Sequence, residues 1–401
     1  MQPDPNEVYT QDALGHIRHL AQAIGGRGSC TEAERRAARY AADQMEFALV
    51  KNVTVEPFQA VPSTYWGYAL SFAIALTGSL LVGLAGGRDA ALLAVALNLL
   101  GMWGMLAETE TRPSWVRLAL PRAASQNVSG VIAPAGEVRR RVALCAHLDT
   151  HRTPVFYSSE TWYTLFSLLV GLAFLSMLGG ALVYGLGALY AWAWLPFAAL
   201  GCGLVQAAAL GLCLQADLTP YSPGANDNAS GVGAVLALAR RLEGQPLQHT
   251  EVHLALTGCE EVGDYGMAAY LDRHAAALGP QALYIVLDEI GLGPAKYLTR
   301  DGLLLKHATH PAALAAARQV KAQHPQLRLS EGPGLAYTDA LVATLRGLPA
   351  LTVCTVPEPG SGVESHWHRM TDTPETIDPA DLANAMQFTW LLLQAVDQAG
   401  A

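Results

Sequence analysis

The chain has 401 residues and a formal net charge of -9, and it is 51% hydrophobic but only 15% charged. Soluble domains average about 25% charged residues, so part of this chain is expected to lie out of water. The negative balance argues against nucleic acid as a partner, because nucleic-acid binding requires clustered positive charge.

Two long apolar blocks interrupt the chain. Residues 66–87 carry no charge, and after Arg88 and Asp89 residues 90–107 are again uncharged; residues 161–216 lack Asp, Glu, Lys and Arg altogether. A membrane-spanning helix needs about 20 apolar residues, so each block is long enough for two spans. We expect two transmembrane hairpins, residues 65–107 and 161–216, in a multi-pass integral membrane protein that contacts the lipid bilayer. The alternative is a pair of buried helical hairpins in a soluble core.

Two hairpins leave the rest of the chain on one side of the membrane. This water-exposed domain is expected in three pieces: residues 1–64, 108–160 and 217–401. Lys and Arg flank the hairpins on that side, whereas Arg88 and Asp89 cancel in the first short loop and the second loop is uncharged. By the positive-inside rule this distribution favours the cytoplasm.

Helical and strand patterns alternate along the water-exposed pieces. Thr31 and Glu34 form a capping-box pattern that predicts a helix to about Leu49. Strands are predicted at residues 53–58, 141–148, 252–257, 282–287 and 351–356. Helices are predicted at residues 230–242, 311–323 and 380–398. This alternation predicts an α/β sandwich with a largely parallel sheet.

Polar residues recur where the predicted strands end. They are His147 and Asp149, the loop 224–231 with Asp227, the pair Glu260 and Glu261, Asp288, and the segment 365–373 with His366 and His368. Taken singly, each has a plainer explanation as a helix cap, a solvated charge or a surface histidine. Ligands of parallel sheets bind at the carboxyl ends of the strands, and His, Asp and Glu are zinc-ligand types. Together the residues predict a metal site.

The same set, namely HxD, D-N-A-S-G, E-E, a strand-ending Asp and H-x-x-x-D-T, resembles the motifs of the co-catalytic two-zinc aminopeptidases. That family includes aminopeptidase S, aminopeptidase Y and bacterial leucyl aminopeptidases. The resemblance covers roughly residues 15–398 apart from the apolar blocks. It implies a three-layer sandwich around a mixed, mostly parallel sheet, two co-catalytic Zn²⁺ ions and a peptide substrate.

The resemblance also implies a role for each residue. Asp227 corresponds to the carboxylate shared by both metals, with His147 and Asp288 completing one zinc site and Glu261 and His368 the other. Asp149 corresponds to the carboxylate that orients a ligand histidine, and Glu260 to the general base. His368 is preferred to His366 as the ligand because it lies four residues before Asp372. Tyr337 and His366 are expected to line the substrate pocket.

The implied activity is that of a membrane-anchored, zinc-dependent exopeptidase, an aminopeptidase. Two alternatives are a zinc acyltransferase like the glutaminyl cyclases, which share the fold but usually use one zinc, and a catalytically silent membrane scaffold. All five ligands and Glu260 are present, which favours hydrolysis. The six cysteines form no CxxC pair, and we expect them to be buried free thiols.

Overall fold

The computed structural model describes residues 5–357 and 364–399, so the outermost residues of the predicted pieces 1–64 and 217–401 lie outside the described part. The chain packs as two units. An α/β unit comprises Met1–Pro62, Ala123–His151 and Tyr221–Ala401, and a helical unit comprises Ser63–Arg122 and Arg152–Pro220. The five-piece division by residue number stays a prediction.

The α/β unit is built on one sheet, which has nine strands within the described residues. The strands are β1 (Lys51–Ala60), β2 (Ala123–Ile132), β3 (Arg140–His147), β4 (Thr250–Thr257), β5 (Leu283–Leu287), β6 (Ala295–Asp301), β7 (His307–Ala308), β8 (Leu329–Pro333) and β9 (Ala350–Thr355). They lie in the order β1-β2-β4-β3-β5-β9-β6-β7, and β8 pairs with β6. The central strands β4, β3, β5 and β9 are parallel, whereas β1, β2, β6 and β7 make antiparallel pairs.

Helices cover both faces of this sheet, because alternate residues of a buried strand point to opposite faces. Val142 and Leu144 of β3 join the core on one face, and Ala143 and Cys145 join the core on the other. The first face carries α1 (Pro5–Arg18), α2 (Glu32–Phe47), α8 (Gly231–Gly244), α10 (Pro311–Gln323) and α12 (Pro379–Gln398). The second face carries α9 (Tyr265–Leu278) and α11 (Asp339–Leu345). The predicted three-layer sandwich with a mixed sheet is confirmed.

The helical unit contains the two apolar blocks. Its helices are α3 (Thr64–Leu84), α4 (Gly87–Thr109), α5 (Trp115–Ala119), α6 (Glu160–Tyr190) and α7 (Leu195–Asp217). All but α5 are long and apolar enough to cross a membrane. Their outward surfaces carry exposed leucines, for example Leu84, Leu175 and Leu204. Helices with apolar residues all round are typical of membrane spans.

A buried polar cluster joins the four long helices. Ser79 of α3 makes hydrogen bonds with Tyr184 of α6 (2.9 Å) and with Gln206 of α7 (2.8 Å). Gln206 also donates to the side-chain oxygen of Asn98 in α4 (2.9 Å). Since lipid offers no hydrogen-bond partners, such contacts between apolar helices fix which helices pair and in what register.

Candidate active site

The polar residues at the ends of the central strands lie along one edge of the sheet. His147 is the last residue of β3, Glu260 and Glu261 lie in the turn after β4, and Asp288 follows β5 directly. These strands are parallel neighbours. Their carboxyl ends therefore open at the same edge, where parallel sheets bind ligands.

The loop that carries Asp227 is held by groups far away in the sequence. The Asp372 carboxylate accepts the backbone N–H groups of Asn226 (2.8 Å) and Asp227 (3.1 Å), and Arg27 donates to the carbonyl of Gly224 (2.8 Å). Gly224 has φ +61°, and a Cβ there would lie 2.2 Å from Thr150 Cγ2. Only glycine fits this backbone position. The Asp227–Asn228 peptide bond is cis.

Asp227 lies between the two predicted ligand histidines. Its Oδ1 is 3.2 Å from His147 Nε2, and its Oδ2 is 3.3 Å from His368 Nε2. Each histidine nitrogen also faces a second carboxylate: His147 Nε2 is 3.3 Å from Asp288 Oδ1, and His368 Nε2 is 3.4 Å from Glu261 Oε2. The five predicted ligands thus form two donor groups that share one carboxylate.

The Asp149 carboxylate supports this cluster through hydrogen bonds to neighbouring residues. It accepts hydrogen bonds from the backbone N–H groups of Glu260 (3.1 Å) and Glu261 (3.2 Å), and from the Ser29 hydroxyl (2.6 Å). His147 Nδ1 is closer to the Asp149 backbone oxygen (3.1 Å) than to its carboxylate (3.6 Å). Asp149 therefore fixes the Glu260–Glu261 turn as well as the histidine, a contribution that the sequence did not indicate.

Burial and crowding shift the pKa values of the cluster strongly. Burial raises the pKa of Glu260 well above its usual range, and burial beside Asp227 raises that of Glu261 to about 7. Burial alone would raise the pKa of Asp227, but hydrogen bonds from His147 and His368 hold it well below its usual range. Burial would lower the pKa of His368, yet the facing Glu261 and Asp227 raise it to about 9. In the absence of other cations, the carboxylates draw protons onto the histidines.

The donor set fits zinc. Two donors that each lie about 2.0–2.1 Å from a tetrahedral zinc ion are about 3.3 Å apart, which matches the four nitrogen–oxygen distances of the cluster. Two buried carboxylates, the half-buried Asp288 and two buried histidines lie together, and burying uncompensated carboxylates is unfavourable. Glu261 Oε1 is buried and has no hydrogen-bond partner among the described residues. Divalent cations would supply the missing positive charge.

Zinc affinity should rise steeply with pH. Glu261, with a pKa of about 7, and His368, with a pKa of about 9, must both lose their protons before they bind a cation. Protons therefore compete with the metal at low pH. Each displaced proton should lower the dissociation constant about tenfold per pH unit until the pH exceeds the pKa of that group. Competition with a chromophoric chelator, corrected for the chelator's own protonation, measures this; a pH-independent affinity would contradict it.

Replacing Asp149 by Asn should weaken zinc binding about 10–100-fold, the usual effect of losing a carboxylate that supports metal ligands. The amide keeps one oxygen but presents an NH₂ group to the N–H donors of the Glu260–Glu261 turn. The matched variant Ser29→Ala removes a single hydrogen bond to the same carboxylate and should cost only about fivefold. Chelator competition compares the two; equal losses would show that the turn does not depend on the charge of Asp149.

His151 lies in contact with this cluster. Its ring stacks on that of His368, with centroids 3.6 Å apart and 12° between the planes, and Trp367 stacks on His368 at 4.1 Å. Nitrogen atoms of His151 and His368 lie near Glu261 in a second possible metal-binding group. Imidazole lone pairs lie in the ring plane, however, so two parallel stacked rings cannot both aim at one ion. In this arrangement His151 packs against a ligand rather than acting as one.

The two predicted pocket residues lie outside the ligand cluster. His366 is half-buried, and its Nδ1 is 2.9 Å from Thr371 Oγ1 in the same segment. Tyr337 is half-buried in the loop before α11. Their contact with substrate stays a prediction.

Sequence reasoning also missed Arg27, whose fully buried guanidinium donates to the carbonyls of Leu148 and Gly224 on two ligand-bearing segments. A lone arginine before the capping box gave no signal of this.

Part of the chain is similar to known peptidase sequences. Residues 215–393 match peptidase family M28. Over 87 residues the chain is 39% identical to a probable lipoprotein aminopeptidase, LpqL, of Mycobacterium tuberculosis, and over 57 residues it is 43% identical to aminopeptidase YwaD of Bacillus subtilis. These alignments cover 21% and 14% of this chain but only 17% and 12% of the two relatives.

Solved structures share the fold across nearly the whole chain. The zinc aminopeptidase BSAP from Bacillus subtilis superimposes with a TM-score of 0.57 at 16% identity, covering 97% of this chain and 95% of BSAP. A glutaminyl cyclase from Bacteroides thetaiotaomicron gives 0.54 at 16% identity, covering 96% and 97%. The fold is therefore that of the zinc aminopeptidases and glutaminyl cyclases. Within it, residues 215–393 are the part that is similar to peptidase family M28.

Proposed function

We propose that this protein is a membrane-anchored, zinc-dependent exopeptidase, and specifically an aminopeptidase with two co-catalytic zinc ions. The observation that carries the proposal is the pair of donor groups that meet at Asp227. One carboxylate oxygen faces His147 and the other faces His368, and each histidine has a second carboxylate of its own. A shared carboxylate between two such groups is what a two-metal hydrolytic site requires.

The five ligands would hold the ions, with His147, Asp227 and Asp288 at one and Asp227, Glu261 and His368 at the other. A bound zinc pair would polarise the scissile carbonyl and acidify the attacking water. Glu260 takes the proton of that water on its carboxylate and passes it to the leaving amine. Burial raises the pKa of Glu260, which makes its carboxylate a stronger base for that proton.

Backbone hydrogen bonds support the different roles of the neighbouring residues Glu260 and Glu261. Because the N–H groups of Glu260 and Glu261 both donate to Asp149, the two side chains are held by a common anchor. One can bind metal while the next moves a proton. Preorganised geometry of this kind lowers the barrier without movement during the reaction.

The helical unit gives the proposal its membrane component. Four apolar helices of 21, 23, 31 and 23 residues match two hairpins that span the bilayer. A multi-pass topology would keep the pieces of the α/β unit on one side of the membrane, and the Lys and Arg distribution favours the cytoplasm. A tag fused at residue 401 would test this sidedness. Its accessibility to an added protease is compared in intact and in permeabilised cells.

The test of the function is metal content and hydrolysis on the detergent-purified chain. We expect about two zinc ions per chain and cleavage of aminoacyl amides that have a free amino group, with no cleavage of the matched N-acetylated amides. Chelation should abolish cleavage, and zinc should restore it. The glutaminyl-cyclase fold similarity defines the alternative: one zinc ion, cyclisation of N-terminal glutamine and no hydrolysis would replace the peptidase proposal with that transferase. Absence of both metal and turnover would indicate a silent scaffold.

A further inference from the structure

Two thiols from distant parts of the chain face each other beside the turn that carries Glu260 and Glu261, here called the catalytic turn. Cys30 precedes α2, and Cys259 follows β4; their Sγ atoms are 3.5 Å apart, although 229 positions separate them in the sequence. Cys259 is fully buried, whereas Cys30 is half-buried and reachable from solvent. All six cysteines are free thiols, as predicted, but the prediction that all are buried is wrong for Cys30, Cys202 and Cys354, which are half-buried.

One buried carboxylate fixes both cysteines. Glu34 accepts the backbone N–H of Cys30 (2.9 Å) with one oxygen and that of Cys259 (3.0 Å) with the other. The predicted capping box is thus half formed: Thr31 accepts from the Glu34 N–H (3.3 Å), but the carboxylate turns to the two cysteines. Both cysteines have left-handed backbone conformations, with φ of 63° and 55°. The shared anchor holds the two thiols face to face.

We propose that Cys30 and Cys259 are an oxidisable dithiol, a modification site at which a low-molecular-weight disulfide of the glutathione type forms a Cys30–Cys259 disulfide. Cys30 sulfur attacks one sulfur of the small disulfide, forms a mixed disulfide and releases one small thiol. Cys259 sulfur then attacks Cys30 sulfur and releases the second thiol. The two cysteines are oxidised, the small disulfide is reduced, and the two protons leave on the two small thiols.

The bond would strain the catalytic turn. A disulfide requires its sulfurs to be about 2.05 Å apart, so the two Sγ atoms must approach by about 1.5 Å. Cys259 immediately precedes Glu260 and Glu261, whose N–H groups are held by Asp149. Displacements of about 1 Å in a catalytic group can cost about 100-fold in rate, so oxidation should lower kcat by roughly 10–100-fold. This effect on rate rests on the proposed function, whereas formation of the bond does not.

The experiment uses the full-length, zinc-loaded protein in detergent, equilibrated with mixtures of reduced and oxidised glutathione. Peptide mapping without reduction should reveal the peptide containing Cys30 linked to that containing Cys259. Aminoacyl-amide hydrolysis should fall in parallel and recover with dithiothreitol. Cys30→Ser should lose both the link and the redox response. Cys354→Ser, which removes another half-buried free thiol, should keep both. Thermal unfolding of the reduced variants verifies that each is folded.

Two results would overturn the inference. One is an oxidised wild-type protein that carries glutathione on Cys30 but no link to Cys259. The other is an oxidative loss of activity that persists in Cys30→Ser. Should the reduced protein hydrolyse nothing, the proposed function fails, and the peptide map still decides whether the disulfide forms.

Discussion

Replacing Glu260 by Gln should lower kcat by about 10²–10⁴-fold, the usual contribution of a general base, and should leave about two zinc ions bound. Gln has the same shape but cannot take a proton from water. Its backbone N–H still donates to Asp149, so the turn that carries Glu261 is retained. Stopped assays of aminoacyl-amide hydrolysis and metal analysis of the same preparation measure the two quantities.

The matched control for this variant is Glu243→Gln, which removes a carboxylate from an exposed position at the end of α8. It should behave as wild type in both measurements. If Glu260→Gln lost zinc in proportion to activity, Glu260 would be a ligand and the base would have to be sought elsewhere.

Replacing Asp227 by Asn should reduce bound zinc below one ion per chain and abolish hydrolysis. The loss of affinity should exceed the ~10–100-fold that follows removal of a supporting carboxylate, because Asp227 faces both donor groups. Asn keeps the shape of the side chain but loses the negative charge that two cations would share. Metal analysis and calorimetric titration with zinc measure the effect.

Asp272→Asn serves as the control, since Asp272 is an exposed aspartate that pairs with Arg346 on the surface. Full zinc affinity in Asp227→Asn would exclude a shared carboxylate. The protein would then have either two independent metal sites or a single one. An intermediate result would be one tightly bound zinc ion and no hydrolysis. Adding a substitution of His147 or of His368 to Asp227→Asn would then show which histidine holds the remaining ion.

The central strands and the residues at their ends were predictable because both leave short-range signals. A buried parallel strand is a continuous apolar run, and a polar residue directly after it stands out. The predicted strand 141–148 corresponds to β3, and the predicted strand 252–257 lies within β4. His147, Glu260, Glu261 and Asp288 directly follow or end such strands, although the metal-binding roles of three of them and the general-base role of Glu260 stay predictions. Strand β6 was missed because the charged residues Lys296, Arg300 and Asp301 interrupt its apolar pattern.

What the sequence did not indicate depends on residues that meet only in the folded chain. Glu34 has the pattern of a helix cap, yet its carboxylate bonds the backbone of Cys259, 225 positions away. His151 was not assigned to the site by any motif. Its ring stacks on that of His368, a residue far away in the sequence. Such contacts arise from tertiary packing, on which local periodicity carries no information.

The order of strands in the sheet dictates when this protein can finish folding. Strand β4 lies between β2 and β3, but the ribosome makes it only after α6 and α7. Until then the nascent chain exposes the unpaired edges of β2 and β3, which are templates for wrong pairing. The polar residues Ser79 and Asn98 of the first hairpin likewise wait for Tyr184 and Gln206 of the second. Biogenesis of this protein should therefore depend on chaperones that shield the half-made sheet while the four long apolar helices are being made.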